Sequence, residues 1–466
     1  MLLDIIIYYN LIVLVYFLAL NFYYLFLLLL AANSLFYYKR NLQCHQYYKP
    51  NRTLTPSISI LVPAYNEETT IVDSIRALLH LDYPKLELIV INDGSTDKTI
   101  AVLKEAFTLF PAPRAAEEKL ITKPVKETYK SAADSRLTVI DKENGGKADS
   151  LNAGINQSRS RLFCAIDADS LVEQDALNRL MQFYMGREAK VIALGGSVRI
   201  ANDCRIENGE VIESRVPGKL LPAIQVMEYI RAFLCGRAGW VKLNNLLIIS
   251  GAFGLFERKT VVSAGGYRTD TVGEDMELVV RLHRIMREQK RPYRVLFVPD
   301  PVCWTQAPES LKMLSRQRNR WQRGLIETAL RHRKMIGNPR YGLVGVIGMP
   351  YFLLFEILGP VVELSGYIVV IVSFVFGWIS ITFLLLFLSL AILFGVLLSL
   401  FSLLLEEYTV KRYENPRDTV KLFLMAILEN FGYRQLHAWW RLKAIFDLLR
   451  RKRGWGRMER KAFSQT

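Results

Sequence analysis

The chain of 466 residues is 51% hydrophobic yet carries a formal charge of +16. That pairing excludes an ordinary soluble protein and fits a membrane protein with a basic cytoplasmic face. The absence of zinc-finger spacing, of an RNP-like motif and of a long basic tract in the central region argues against nucleic acid as a partner. The 5 cysteines, at 44, 164, 204, 235 and 303, are odd in number and form no C-x-x-C. They argue against a disulfide framework or structural zinc and place the central region in a reducing compartment.

Residues 5 to 36 are almost wholly apolar and aromatic, with Asn21 the clearest interruption. This is long enough for one transmembrane helix, and Lys39 and Arg40 just after it put the following chain in the cytoplasm. An α/β pattern begins near residue 57. Strands are expected at 58–62, 88–91, 137–140, 162–166 and 191–198, alternating with helices, which predicts a parallel, doubly wound sheet. Residues 111–135 read as a mobile surface insertion and 202–218 as polar loop. Residues 222–238 have helical apolar spacing that suits a membrane surface or a core equally. The run 246–256 is apolar around Ser250-Gly251. A helix opens at Gly273-Glu274-Asp275, a strand follows at 293–298, and a basic helix covers 309–334.

Residues 343–405 are again membrane-like, with two spans expected near 347–373 and 378–404, and three short ones as the alternative. From 420 to 447 the apolar chain carries Glu429, Arg434, His437, Arg441 and Lys443. Charges that dense are expensive at bilayer depth, so an interfacial amphipathic helix against membrane lipids is expected, followed by a basic cytoplasmic tail. The resulting division is residues 1–38 as an N-terminal span, 50–340 as a cytoplasmic domain, 343–405 as further spans, and 419–466 as interfacial helix and tail.

The strand 162–166 ends in Asp167-Ala168-Asp169. Two hard oxygen donors at a strand's carboxyl end suit a divalent cation holding a phosphate. The same residues also suit a helix cap at Asp169 or Ser170. What favours the first reading is company: Tyr65, Glu67, Asp93, Asp167, Asp169 and Asp275 each follow an apolar strand or open a helix. A parallel sheet gathers its strand-end groups on one rim.

The set Pro63-Ala64-Tyr65-Asn66-Glu67, Asp93-Gly94-Ser95, Asp167-Ala168-Asp169, Glu274-Asp275 and Gln317-x-x-Arg320-Trp321 resembles the membrane-embedded, processive family 2 glycosyltransferases. Cellulose, hyaluronan and poly-N-acetylglucosamine synthases are among them. The resemblance covers roughly residues 55 to 330 and implies a GT-A (Rossmann-like α/β) fold between N- and C-terminal transmembrane segments. It implies inverting transfer from a UDP-sugar, with a lean to UDP-N-acetylglucosamine, onto a growing polysaccharide exported through the enzyme's own spans in the plasma membrane. It assigns Pro63, Tyr65, Glu67, Asp93, Lys147 and Asp167 to the nucleotide, and Asp167 and Asp169 to Mg²⁺ or Mn²⁺. Asp275 becomes the general base beside Glu274, and Gln317, Arg320 and Trp321 frame the acceptor and leaving diphosphate. The competing readings are single-sugar transfer to a lipid carrier and an inactive nucleotide-sugar-binding regulator.

Two departures stand out. Gly273 occupies a position where Thr is common in the family. Trp455-Gly456-Arg457 matches only in part a gating-loop motif of hyaluronan-type enzymes, and better suits a basic tail on anionic lipid.

Overall fold

The apolar strand sequences assemble into one sheet in the computed structural model, which describes residues 2–45, 55–113, 117, 119–185, 189–207 and 209–450. The strands are β1 (Ile58–Ala64), β2 (Leu86–Asp93), β3 (Leu109–Pro111), β4 (Val125–Ser131), β5 (Leu137–Lys142), β6 (Leu162–Ile166), β7 (Leu171–Val172), β8 (Val191–Ile200), β9 (Arg205–Glu207), β10 (Glu210–Glu213), β11 (Phe253–Glu257) and β12 (Arg294–Thr305). The large sheet runs in the order β3-β4-β5-β2-β1-β6-β11-β8-β12-β7, and β9 and β10 pair separately.

The sheet is mixed, not wholly parallel. Strands β5, β2, β1 and β6 run parallel, and their near-continuous apolar sequences are buried on both faces as such strands require. Beyond them β11 lies antiparallel between β6 and β8. Residues 111–135 are not a loose insertion throughout, because β3 and β4 add two antiparallel edge strands there. The sequence of β4, Val-Lys-Glu-Thr-Tyr-Lys-Ser, is half-exposed and so lacks the apolar run that marks the others. The expected polar loop 202–218 contains the hairpin β9-β10.

The helix Leu2–His45 and the helices from Val344 onward flank this sheet in sequence. Two segments, Asp4–Arg40 and Ile381–Thr409, are long and apolar enough to cross a membrane. Val344–Ile357 and Gly359–Val375 make a third span if taken as one segment bent by 43°. The polar interruptions in the first helix serve packing: Asn10 Nδ2 donates to Ser373 Oγ at 2.9 Å and Asn21 Nδ2 to the Leu390 carbonyl at 2.7 Å. Polar side chains at such depth are satisfied across helices.

The segment 222–238 takes the core alternative. Pro222 to Met227, Phe233 and Leu234 are buried, wedged between sheet and spans. The stretch 420–447 is not one interfacial helix. It breaks at Phe431 and Gly432, where Gly432 has φ +85°, into Pro416–Leu428 and Arg434–Leu449. Several of its charges turn inward: Glu429 is buried, paired with Arg231 and hydrogen-bonded to Ser399. Arg199 and Glu406, both fully buried, form a second pair between β8 and the candidate span Ile381–Thr409. The tail motif at 455–457 lies outside the described residues. Cys164, Cys204, Cys235 and Cys303 are buried free thiols.

Candidate active site

Parallel β1, β2, β5 and β6 deliver their carboxyl ends to one rim, in register Ala64 beside Asn92 and Asn92 beside Asp141. The loops after β1 and β2 are tied together: the Asn66 N–H donates to Ser95 Oγ at 3.0 Å and the Thr96 N–H to Asn66 Oδ1 at 2.8 Å. Pro63 is half-buried in β1, and Tyr65 stands 49% exposed at the rim. Glu67 is buried, and its Oε2 accepts from the Thr70 hydroxyl at 3.0 Å.

Asp93 is engaged on both oxygens. Oδ1 accepts from Lys142 Nζ at 2.8 Å and from the Gly145 N–H at 2.9 Å, and Oδ2 from the Gly146 N–H at 2.7 Å. Lys142 is fully buried and also meets Asp149 at 2.6 Å. Asp93 therefore shapes the Gly145-Gly146 turn that starts the helix Lys147–Gln157. Neither Lys142 nor Asp149 was singled out by sequence reasoning, although a lysine closing an apolar strand is a visible oddity.

The residues after β6 do not cap a helix. β7 follows directly, and the next helix begins at Ala176. Lys147 Nζ is ion-paired with Asp167 and donates to the Gly251 carbonyl at 3.2 Å. The Gly251 N–H in turn donates to Asp275 Oδ2 at 3.2 Å, and the Met276 N–H to Asp275 Oδ1 at 2.8 Å. One peptide residue thus links the strand-end carboxylate, the lysine of the Gly-Gly-Lys turn and Asp275. Space there is tight: a Cβ on Gly251 would come within 3.1 Å of Lys147 Nζ and 3.4 Å of Asp275 Oδ2. Sequence reasoning noted Ser250-Gly251 without a role, because the linking atoms are backbone atoms.

Charge is crowded here. Burial disfavours the Lys147 ammonium, but the Asp167, Glu274 and Asp275 carboxylates together outweigh it and raise the pKa. Burial and then the Asp167 charge push Asp169 up to about 6. Burial and then the Asp275 charge push Glu274 up to about 7, against the pull of Lys147 and Arg320. Burial draws Arg237 down to about 10, opposed by the Asp275 carboxylate, and its guanidinium lies 3.7 Å from the Phe233 ring centre. Arg237 is a further cation beside Asp275 that the sequence did not flag.

Glu274 gives a pH signature. Its native pKa lies above the ordinary 4.5, so between pH 4.5 and about 7 the native state holds more protons than the unfolded chain. Stability from this group is then full below pH 4.5 and is lost as pH rises through 7. Glu274→Gln, neutral throughout, is expected to raise the melting temperature well above pH 7 and to change it little near pH 4.5. Melts at both pH values, without nucleotide or divalent cation, check this; an equal shift at both would refute it.

The helix Leu311–Arg331 supplies the remaining candidates. Gln317 Oε1 is buried without a hydrogen-bond partner among the described residues. Trp321 is 45% exposed, with Arg318 stacked 4.3 Å from its ring centre. Arg318 is held by Glu228 at 2.8 Å, which also accepts from the Tyr433 hydroxyl at 2.8 Å. Gly273 now has a reason. A Cβ there would sit 2.8 Å from Gly324 Cα, so the usual Thr would force the Glu274-Asp275 turn off the helix. Among the described residues no group of three or more His, Cys, Asp or Glu side chains could hold a metal.

Residues 59–220 match the family model for glycosyl transferase family 2, and residues 162–403 that for glycosyl transferase family group 2. The chain belongs to the family 2 glycosyl transferases. Over 299 residues it is 31% identical to poly-beta-1,6-N-acetyl-D-glucosamine synthase of Staphylococcus aureus (strain COL), covering 64% of this chain and 61% of that protein. The synthase of the same name from Staphylococcus epidermidis is 29% identical over 274 residues, covering 59% of this chain and 56% of that protein. The matched region thus spans less than two thirds of either relative. A mannosyltransferase of Pyrobaculum calidifontis, solved in complex with GDP-Man and Mn2+, superposes over 91% of this chain and 99% of its own. Its TM-score is 0.52 at 17% identity, and it shares the GT-A-type mixed sheet of this family 2 member.

Proposed function

We propose that this family 2 glycosyltransferase polymerises a β-linked polysaccharide from a UDP-sugar and passes it out through its own spans. The observation that carries the proposal is the Gly251 peptide, which holds Asp275 and the Lys147–Asp167 pair on one rigid frame. An acceptor hydroxyl attacks the anomeric carbon from the face opposite the diphosphate. Its proton passes to the Asp275 carboxylate as the C–O bond forms. The anomeric carbon–oxygen bond to the diphosphate breaks, configuration inverts, and UDP leaves with the bonding pair. Lys147 and Arg320 face the charge that gathers on the leaving group. Gln317, whose Oε1 has no partner among the described residues, and the half-exposed Trp321 ring orient the acceptor sugar.

Asp167 and Asp169 suit Mg²⁺ or Mn²⁺ by their chemistry. They are two hard oxygen donors one residue apart at the end of a strand. A cation held there, its other ligands coming from diphosphate and water, would neutralise the departing UDP. The mannosyltransferase neighbour, solved with Mn2+, supports this assignment. UDP-N-acetylglucosamine is the preferred donor because both staphylococcal relatives are synthases of an N-acetylglucosamine polymer.

Polar side chains gather among the candidate spans, where Asn21, Tyr24, Glu363, Tyr367 and Arg434 line a cavity of about 20 Å³; that is room for about one water, so passage of a polymer requires these helices to part. Ionisable side chains among spans mark a solute path by default. A polar chain leads from the acceptor helix toward it: Gln322 Nε2 donates to the Glu356 carbonyl at 3.0 Å, and Arg441 bonds Gln322 at 2.9 Å and Glu356 at 2.8 Å. The positive-inside pattern puts the sheet domain in the cytoplasm, where UDP-sugars are found, with the protein in the plasma membrane. Purified protein given a panel of UDP-sugars with Mg²⁺ or Mn²⁺ is expected to release UDP fastest from UDP-N-acetylglucosamine and to yield a polymer ladder. Sizing the product checks this: a single added sugar would refute polymerisation, and no UDP from any donor would refute transfer.

A further inference from the structure

Arg320, Gly324, Glu327 and Arg331 are spaced four, three and four residues apart, so they line one face of the helix Leu311–Arg331. The segment entering the Glu274-Asp275 turn lies along that face in the opposite direction. Arg331 Nη2 meets Asp270 at 3.1 Å. Glu327 Oε2 accepts from the Thr271 hydroxyl at 2.8 Å and from the Val272 N–H at 3.1 Å. Thr271 Oγ1 accepts the Gly273 N–H at 3.3 Å. Gly324 and Gly273 touch backbone to backbone. Arg320 comes next along that face, close enough for its charge to act on Glu274.

These rungs differ in what they can fix. The Arg331–Asp270 pair is open to solvent, with Asp270 53% exposed, and such pairs contribute little. The glycine contact has no side chain to set its register, so it can slide. Glu327 is the one rung that combines charge with two donors on adjacent residues, and charge-assisted bonds are roughly twice as strong as neutral ones. We propose that Glu327 is a positioning residue for sugar transfer: it clamps Thr271 and Val272 so that the turn bearing Asp275 and the helix bearing Gln317, Arg320 and Trp321 move as one body. The inference rests on the reading of Asp275 as the general base. Glu327 Oε2 is taken up by Thr271 and Val272, so its loss acts on the distance between base and acceptor hydroxyl and leaves the nucleotide pocket intact.

The test uses the full chain in lipid nanodiscs, with UDP-N-acetylglucosamine as donor and UDP release as readout. Glu327→Ala is expected to lower kcat about 100-fold, the cost of a displacement near 1 Å in a reacting pair. Donor KM and UDP affinity stay at the wild-type level. Glu327→Gln keeps an acceptor oxygen without the charge and restores part of the rate. Thr271→Val, a milder change, loses about tenfold, mostly through the bond to the Glu327 carboxylate and less through the long one from the Gly273 N–H. The double variant Thr271→Val/Glu327→Ala is no slower than Glu327→Ala, because both act on one clamp. Wild-type turnover in Glu327→Ala, a change confined to KM, a loss that Gln does not restore, or additive losses in the double variant each overturn the proposal. Asp275→Asn run alongside separates the failures. Full turnover there overturns the base and this inference with it, whereas a dead Asp275→Asn beside a wild-type-like Glu327→Ala overturns the positioning role alone.

Discussion

Asp275→Asn is expected to reduce sugar transfer about 100- to 10,000-fold, the range that a positioned general base contributes, while UDP binding persists. A sugar hydroxyl is a poor nucleophile until its proton has somewhere to go. Asp275 is suited to take it: two backbone N–H groups, from Gly251 and Met276, fix the carboxylate in place. The amide of Asn cannot accept a proton, yet it matches the carboxylate in shape and keeps an acceptor for one of those N–H groups. Lys147, Asp167 and the Gly145-Gly146 turn are untouched, so the nucleotide should still bind. Turnover is read as UDP release and affinity as UDP titration on the same preparation. Turnover near wild type would remove Asp275 as the base. Loss of UDP binding together with turnover would mean that the substitution had collapsed the site.

That prediction could be framed from sequence because acids at the ends of parallel strands must converge, and β1, β2, β5 and β6 are parallel. The Glu274-Asp275 turn was legible for a different reason, as an acidic pair opening an amphipathic helix. What the sequence concealed follows from physics that leaves no side-chain signature. The hub at Gly251 works through its N–H and carbonyl, which every residue possesses. The antiparallel insertion of β11 between β6 and β8 depends on which edges meet, not on apolar runs. The charges of 420–447 suggested lipid headgroups because periodicity reports a polar face without saying what it faces. In the fold Glu429 faces Arg231 and Arg441 faces Glu356. Gly273 looked like a departure from the family and proved to be a fit to Gly324.

The inward pairs also explain how a basic chain holds its sheet against its spans. Arg199–Glu406 joins β8 to the helix Phe394–Thr409, and Arg231–Glu429 joins the core segment to the kink before Arg434–Leu449. Arg318–Glu228, with Tyr433, ties the helix Leu311–Arg331 to the same kink. Replacing both partners of such a pair with apolar residues can be neutral, but breaking one is costly because a charge is left buried. These links join the sheet domain to the helices that are candidate spans.

The same asymmetry is sharpest at Lys142. Its ammonium is fully buried between Asp93 at 2.8 Å and Asp149 at 2.6 Å, with Asp93 also holding the two N–H groups of the Gly145-Gly146 turn. Lys142→Met strands two buried carboxylates, and removing one partner of a buried pair costs about 3–5 kcal/mol. A whole domain has only about 5–15 kcal/mol of stability, so the variant is expected to melt on the order of 10 °C lower and to accumulate poorly. Lys142→Arg should not rescue it, because a planar guanidinium does not fit a pocket shaped around a compact ammonium. The triple variant Lys142→Met/Asp93→Asn/Asp149→Asn leaves no charge stranded and should recover most of the lost melting temperature. It should still bind UDP weakly, since the turn that presents Lys147 has lost its carboxylate anchor. Melting curves and UDP titrations on the three proteins separate the two effects. A Lys142→Met protein that melts like wild type would show that this triad does not hold the fold. A triple variant with full UDP affinity would show that Asp93 does not shape the turn.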